Sequence, residues 1–272
     1  MSGMIRVVLA ALVAAVVAGT ALAETMKLAV TTSFENSGLA GVLLPEIAAD
    51  LGIEVQLLVV GTGQAIRLGA AGDVDAILVH ARAAEEDFVA SGDGAHRTEI
   101  MYNDFVLIGP GDDPAGIAGA GTADAALTAI AASRAPFASR GDDSGTHKKE
   151  LALWEAAGIG PEARDVGWYK ETGSGMGATL NTAAGLGAYV MSDRASWLNF
   201  GNKGDLVLLF AGDPALFNQY AYLPVNPAKH PHVKAEAATA VEDWLISDRA
   251  RALIDGYRLG GEQLFTFNAA RE

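Results

Sequence analysis

Four short stretches carry the residues whose types and spacing could do chemistry. Phe137–Glu150, FASRGDDSGTHKKE, runs from an apolar strand-like segment into Arg140. A Gly/Asp turn follows, and then Ser144, Gly145 and Thr146 at the start of a helix. Val30–Ser33, Val60–Gln64 and Gly173–Thr179 are comparable junctions, each with hydroxyls or bare backbone N–H groups where a helix begins; only the first adds a cation. First-turn N–H groups have no intrahelical partner and carry partial positive charge, so they accept an anion readily. A guanidinium adds a permanent charge on a planar fork of donors suited to an oxyanion. Thr31, Thr32, Ser33, Thr62, Arg140, Ser144 and Thr146 are therefore candidates to converge on one small anion. The competing reading for each hydroxyl is an ordinary helix cap, worth ~1 kcal/mol. For Arg140 it is a local ion pair with Asp142 or Asp143. Number and placement favour the anion, because open α/β sheets bind ligands at the carboxyl ends of their strands.

Other chemistry finds less support. Gly61-Thr62-Gly63-Gln64 lacks the Gly-Lys-Ser/Thr of a phosphate-binding P-loop, and Gly173-Ser174-Gly175-Met176-Gly177 is not a dinucleotide fingerprint. His230-Pro231-His232 reads as a surface turn rather than a metal site, and His147 and Lys148 as a solvated helix face. No nucleophile elbow or zinc-protease pair occurs, so an enzyme is the weaker reading. Its one concrete form is a periplasmic hydrolase of an anionic ester, with Ser144 as nucleophile and His147 three residues on as its base. No cofactor and no directly bound metal are expected.

The elements that must position these residues follow from apolar periodicity. Met26–Thr32, Glu54–Val60 and Asp75–His80 read as strands. Helices follow them at about Ser37–Leu51, interrupted or bent at Pro45, at Gln64–Ala71 and at Arg82–Ala90. This βαβαβα order argues for a parallel sheet with helices on its faces. Further on, Phe105–Ile108, Phe137–Ser139, Ala188–Met191, Leu206–Phe210 and Tyr220–Val225 read as strands. Helices are expected over Ala123–Ser133, Thr146–Ala157, Ala178–Leu186, Ser192–Phe200, His232–Ser247 and Arg249–Tyr257. Two α/β halves with crossings at Tyr102–Gly109 and Gln219–Val225 fit best.

Composition bounds the function. The chain has 272 residues, half of them apolar, no cysteine and a formal charge of −14. Such acidity argues against nucleic acid, which is bound through Lys and Arg, and against anionic lipid. One anion remains compatible, since local dipoles outweigh a screened global field. At the N-terminus, Arg6, the apolar run Val7–Val17 and Ala21-Leu22-Ala23 form a signal peptide cleaved after Ala23. Removing residues 1–23 deletes only Arg6 and takes the formal charge from −14 to −15. No other long apolar run follows, so the mature chain is expected in the periplasm without membrane insertion.

Taken together, TTSFENSGL (31–39), VGTGQAIRLG (60–69), DAILVHA (75–81), MYNDFVLIGPGDDPAGI (101–117), FASRGDDSGTHKKELALW (137–154), ETGSGMGATLNTA (171–183) and NPAKHPHV (226–233) are specific. The chain resembles the periplasmic tungstate-binding proteins of ABC importers, within the class of molybdate- and sulfate-type solute-binding proteins. The resemblance implies an α/β, two-lobed periplasmic solute-binding protein (type II). Each lobe is then a mostly parallel sheet flanked by helices, with the ligand cleft between the lobes. The expected division is 24–103 plus 219–272 for lobe 1 and 104–218 for lobe 2. The resemblance assigns the oxyanion contacts to Thr31, Thr32, Ser33, Thr62, Arg140, Ser144 and Thr146, and to the turn Ser174, Gly175 and Met176. Tungstate is the implied ligand, with molybdate or another tetrahedral oxyanion as the alternative, and an ABC transporter permease as the partner of a monomeric binding protein. Where the family usually has threonine in its first motif, this chain has Val30.

Overall fold

The computed structural model describes residues 24–164 and 167–271; the signal segment 1–23 lies outside the described residues. The chain starts on β1 (Glu24–Thr31), then α1 (Thr32–Ser37), α2 (Ala40–Leu51), β2 (Ile53–Val60), α3 (Thr62–Ala71), β3 (Ala76–Val79) and α4 (Arg82–Ala90). β4 (Thr98–Pro110), α5 (Ala123–Ser133), β5 (Phe137–Ser139), α6 (Gly145–Ala156), α7 (Pro161–Arg164), β6 (Tyr169–Glu171), α8 (Met176–Leu186), β7 (Tyr189–Asp193), α9 (Arg194–Asn199) and β8 (Leu206–Phe210) follow. The chain returns through β9 (Phe217–Pro224) and finishes with α10 (Ala235–Leu245), α11 (Asp248–Gly256), the two-residue strands β10 (Arg258–Leu259) and β11 (Glu262–Gln263), and β12 (Thr266–Arg271).

β1 lies between β2 and β3, parallel to both. β3 pairs antiparallel with β9, and β9 antiparallel with β4. On the other side, β5 lies parallel between β6 and β7, and β7 pairs antiparallel with β4. β4 is the element common to both sets. Through Asp104 it pairs with β9, and from Phe105 onward with β7. The architecture is thus two α/β lobes, each built on parallel strands with helices between them, threaded by one long strand.

Each sheet is covered on both faces, so its strands alternate between two cores. On the first sheet, Leu28, Val30, Leu78, Tyr220 and Tyr222 pack on one side, and Ala29, Ile77, Val79, Ala221 and Leu223 on the other. On the second, Phe105, Leu107, Phe137 and Tyr189 share one core with Trp154 and Trp168, while Val106, Ile108, Ala138 and Val190 share another with Met176 and Leu180.

Three differences from the sequence reading have local causes. The first helix starts at Thr32, not near Ser37, because the Thr31 side chain accepts from Phe34 N at 3.2 Å and caps it. Ser37 instead bridges two helices at Gly38 (φ 79°), donating to Phe34 O and accepting from Leu39 N. Pro45 does not interrupt α2: it lies near the start of the helix, where it removes one N–H bond, and the helix runs on to Leu51. β4 begins at Thr98 rather than Phe105, and β12, which pairs with it, has no clear alternation. Polar residues such as Asn103 and Asp104 hide a strand when they face a lobe junction.

Trp154 is fully buried, with ring centroids 5.1 Å from Phe137 and 5.6 Å from Trp168. Trp154→Ala is expected to cost ~3–5 kcal/mol of stability, read from the urea unfolding midpoint.

Candidate functional site

The candidate residues gather at the carboxyl ends of β1, β2, β5 and β6. At the end of β1, Thr31 and Ser33 are buried and Thr32 is half-buried. Thr31 uses its oxygen lone pair as the cap of α1, which leaves its O–H available as a donor. Val30 points the other way, into the core with Leu28 and Phe34. The hydroxyl that is missing there therefore falls on the face of the strand turned from the site.

α3 and α6 meet with their N-termini together. Gly63 N donates to Asp143 O at 3.2 Å, and Arg67 reaches the Asp143 carboxylate at 3.2 Å, so the two lobes touch here. A Cβ on Gly145 would lie 2.9 Å from Thr62 Oγ1 and 2.7 Å from the His80 ring, which is why the chain runs as a bare backbone at that point. Thr62 and Thr146 are fully buried, and neither Oγ1 has a partner among the described residues. A buried hydroxyl left unpaired costs ~1–3 kcal/mol. Two of them beside two helix N-termini mark a place built for an acceptor from outside the chain.

Arg140 makes the local ion pair and still keeps a donor. It is 2 % exposed. Nε donates to Ser174 O at 2.7 Å, and NH2 pairs with Asp142 Oδ2 at 2.6 Å. The third nitrogen, NH1, is buried and unpartnered. The ion pair is therefore a brace that leaves one donor over, rather than an alternative to binding. Asp142 also accepts from Ser144 N at 3.2 Å and Ser144 Oγ at 2.5 Å, fixing the turn that leads into α6.

Ser144 differs from expectation. Its hydroxyl proton goes to Asp142, and its oxygen accepts from His147 N at 3.1 Å as the cap of α6. Both of these bonds are local to the start of α6. The same geometry removes the hydrolase constellation, because His147 Nδ1 faces the Asp142 carbonyl instead of Ser144 Oγ. His147 is thereby tied into the loop rather than lying on a solvated face. In the last turn, the Ser174 hydroxyl is spent on Thr172 O at 3.0 Å, and Gly175 is the exposed N-cap of α8. The Met176 side chain is buried in the core. What this turn offers is backbone: the Ser174 carbonyl for Arg140, and the first N–H groups of α8. His230 and His232 form a turn, with His232 Nε2 against Gly72 O at 2.9 Å.

Sequence reasoning missed a second layer. Beneath the Arg140 loop, Tyr169 OH donates to the buried Glu150 at 2.5 Å and lies 2.9 Å from Ser139 Oγ, which accepts from Gly141 N. Burial pushes the Glu150 carboxyl up. At the crossing strands, Asn218 donates to Asn103 at 2.6 Å, and the Tyr220 ring lies 4.8 Å from that of His80, tilted by 41°. His80 is buried, and neither ring nitrogen has a partner. Burial, and then the Arg140 charge, lower its pKa to about 4, so the ring is neutral at ordinary pH. Asp193 and Ser196 at the start of α9 are buried as well. Their only sequence signal is polarity at the end of a strand, which a capping residue also produces.

Buried donors from both lobes, one fixed cation and converging helix N-termini define a class: a two-lobed binding protein that closes over a small anion. The comparisons agree. A model of the PBP superfamily domain matches residues 16–249. The chain is similar to the tungstate-binding protein TupA of Peptoclostridium acidaminophilum, with 47% identity over 248 residues, 90% of this chain and 86% of that one. Among solved structures it is similar to the tungstate-binding protein TupA of Desulfovibrio alaskensis G20, at 46% identity and TM-score 0.80, covering 91% of this chain and 100% of that one. It is also similar to a structure described as the tungstate ABC transporter from Geobacter sulfurreducens, at 48% identity and TM-score 0.79, covering 86% and 99%. The chain belongs to the TupA family of tungstate-binding proteins, within the PBP superfamily.

Two expectations follow. Val30→Thr should leave anion affinity unchanged in calorimetry and lower stability by ~1–3 kcal/mol, because it buries a hydroxyl in the core. For His80, the unfolded chain takes up a proton below about pH 6.5 that the folded chain refuses until about pH 4. Its contribution is present above pH 6.5 and is lost as the pH falls through that window, at ~1.4 kcal/mol per unit. His80→Gln should flatten the fall in unfolding free energy between pH 7 and about pH 5 by roughly 2 kcal/mol.

Proposed function

We propose that the protein captures tungstate in the cleft between its lobes and delivers it to the permease of an ABC importer. The observation that carries this reading is the donor set held unpaired in a buried place: Arg140 NH1, Thr62 Oγ1 and Thr146 Oγ1. Tungstate presents four acceptor oxygens and two negative charges. Arg140 balances part of that charge, and the hydroxyls of Thr31, Ser33, Thr62 and Thr146 donate. The N-termini of α1, α3, α6 and α8 supply the rest from fixed dipoles, with Thr32 and the Ser174–Met176 turn contributing backbone N–H groups. Ser144 holds the start of α6 in place. Molybdate has the same shape and charge and meets the same donors, so this reading extends to both anions.

The partner change of β4 between Asp104 and Phe105 supports a lobe division at 24–103 plus 219–272 and 104–218. The contact of Gly63 with Asp143 belongs to the closed arrangement. The closed surface is what the permease reads. Export through the cleaved segment 1–23 places the monomeric mature chain in the periplasm. Among the described residues, no helix is long and apolar enough to cross a membrane.

Arg140→Ala tests the site. One charged hydrogen bond contributes ~1.5–3 kcal/mol, so the dissociation constant for tungstate should rise by roughly 10- to 150-fold. The circular dichroism spectrum should stay that of the folded protein. An unchanged constant in titration calorimetry removes Arg140 from the site.

A further inference from the structure

A site for a dianion that carries no proton wants donors only. One buried group at the lobe junction is out of place in that chemistry. Asp193 ends β7, the strand that runs parallel beside β5, from which the chain continues directly into Arg140. Its side chain is fully buried. Oδ1 accepts from Ser196 N at 2.8 Å, and Oδ2 has no partner among the described residues. Ser196 Oγ, Tyr220 OH and Arg140 NH1 are likewise buried without partners.

An ionised Asp193 serving as a counter-ion for Arg140 would close on it, as Asp142 does at 2.6 Å. Instead the guanidinium is braced by Asp142 and Ser174; Arg140 NH1 and Asp193 Oδ2 make no hydrogen bond, although the Arg140 charge is felt at Asp193. Two ionised states, carboxylate and bound dianion, side by side in a buried place repel one another. A carboxylic acid in the same position is a donor. We propose that Asp193 enters the oxyanion site as the neutral acid and donates a hydrogen bond to the bound anion, so that capture of tungstate takes up a proton; this rests on the tungstate reading above.

The surroundings fit. Burial pushes the Asp193 carboxyl up, against the Ser196 contacts, the Arg140 charge and the backbone N–H of Asp193 itself. From β9, Tyr220 faces it as a neutral phenol whose ionisation is held off by burial. From β3, His80 is neutral at ordinary pH. The adjacent Arg194 is engaged with Asp104 of β4 at 2.6–2.7 Å. On α1, Glu35 is exposed, and α8 carries no ionisable side chain. The balance is simple: in the open protein Asp193 is hydrated and ionised. On closure one proton from the buffer joins it, and no bond in the anion is broken.

The test is titration calorimetry of the mature chain with sodium tungstate at pH 7, in PIPES and in Tris, whose ionisation enthalpies differ. Uptake of about one proton per anion is expected, with affinity falling about tenfold per pH unit above neutrality. Asp193→Asn carries a permanent donor of the same shape, so its binding enthalpy should be independent of buffer and its affinity flat with pH. Tungstate binding by the wild-type chain with no buffer dependence overturns the proposal while leaving the tungstate site standing, as does an Asp193→Asn variant with the wild-type proton uptake. An absence of heat in every buffer overturns the tungstate reading itself.

Discussion

The structure depends on a cation held out of water. Arg140 cannot lose its proton, and it is buried where hydration cannot reach it. Asp142 neutralises it from one side, and the Ser174 carbonyl fixes its orientation from another. Those two contacts bind the β5–α6 loop to the turn before α8. They leave NH1 as the donor that neither contact uses. A freely mobile cation would find its own carboxylate and cease to select; a braced one keeps its fork pointed in one direction. Asp142, Ser144 and His147 are tied together by the same loop, so they serve the site by holding its shape.

The lobes meet where each ends in helix N-termini. Contact of α3 with the turn before α6 brings like ends of two helix dipoles together, and both ends want negative charge. An anion placed between them is the shared partner that makes closure favourable. Glycine at positions 63 and 145 lets the backbones approach, because a side chain at either would overlap Asp143 or His80. On the function proposed above, ligand capture and lobe closure are one event, driven by the same buried donors.

Much of this was legible in the sequence because the relevant signals are local. β8, α4 and α5 follow from short apolar runs and helical periodicity alone. The N-terminal motifs sit within a few residues of strand ends, so Thr62, Arg140 and Thr146 could be singled out by type and position. The long strand β4 was only half visible, since its first part carries Tyr102, Asn103 and Asp104, which serve the lobe junction rather than a core. β12 was missed for a related reason: its pairing is with a strand more than 150 residues earlier, and no local pattern announces it. The roles of Ser144 and Val30 also needed the fold. A hydroxyl before a helix reads the same whether it caps or binds, and the face a strand residue occupies depends on what is packed against it.

The sequence by itself determined the α/β order and placed Arg140 and the hydroxyl- and glycine-rich junctions at strand ends, because residue type and short-range spacing encode those directly. Only the tertiary structure decided which donors are left unpaired once the chain has satisfied itself. Arg140 pairs with Asp142 and still keeps a donor. Ser144 spends both of its bonding roles at home. His80, Asp193 and Tyr220 come from three strands to line the same junction. Hydrogen-bond satisfaction is a property of the whole fold, since each buried group can be paired by residues far away in the chain, and the site is what remains after that pairing is complete.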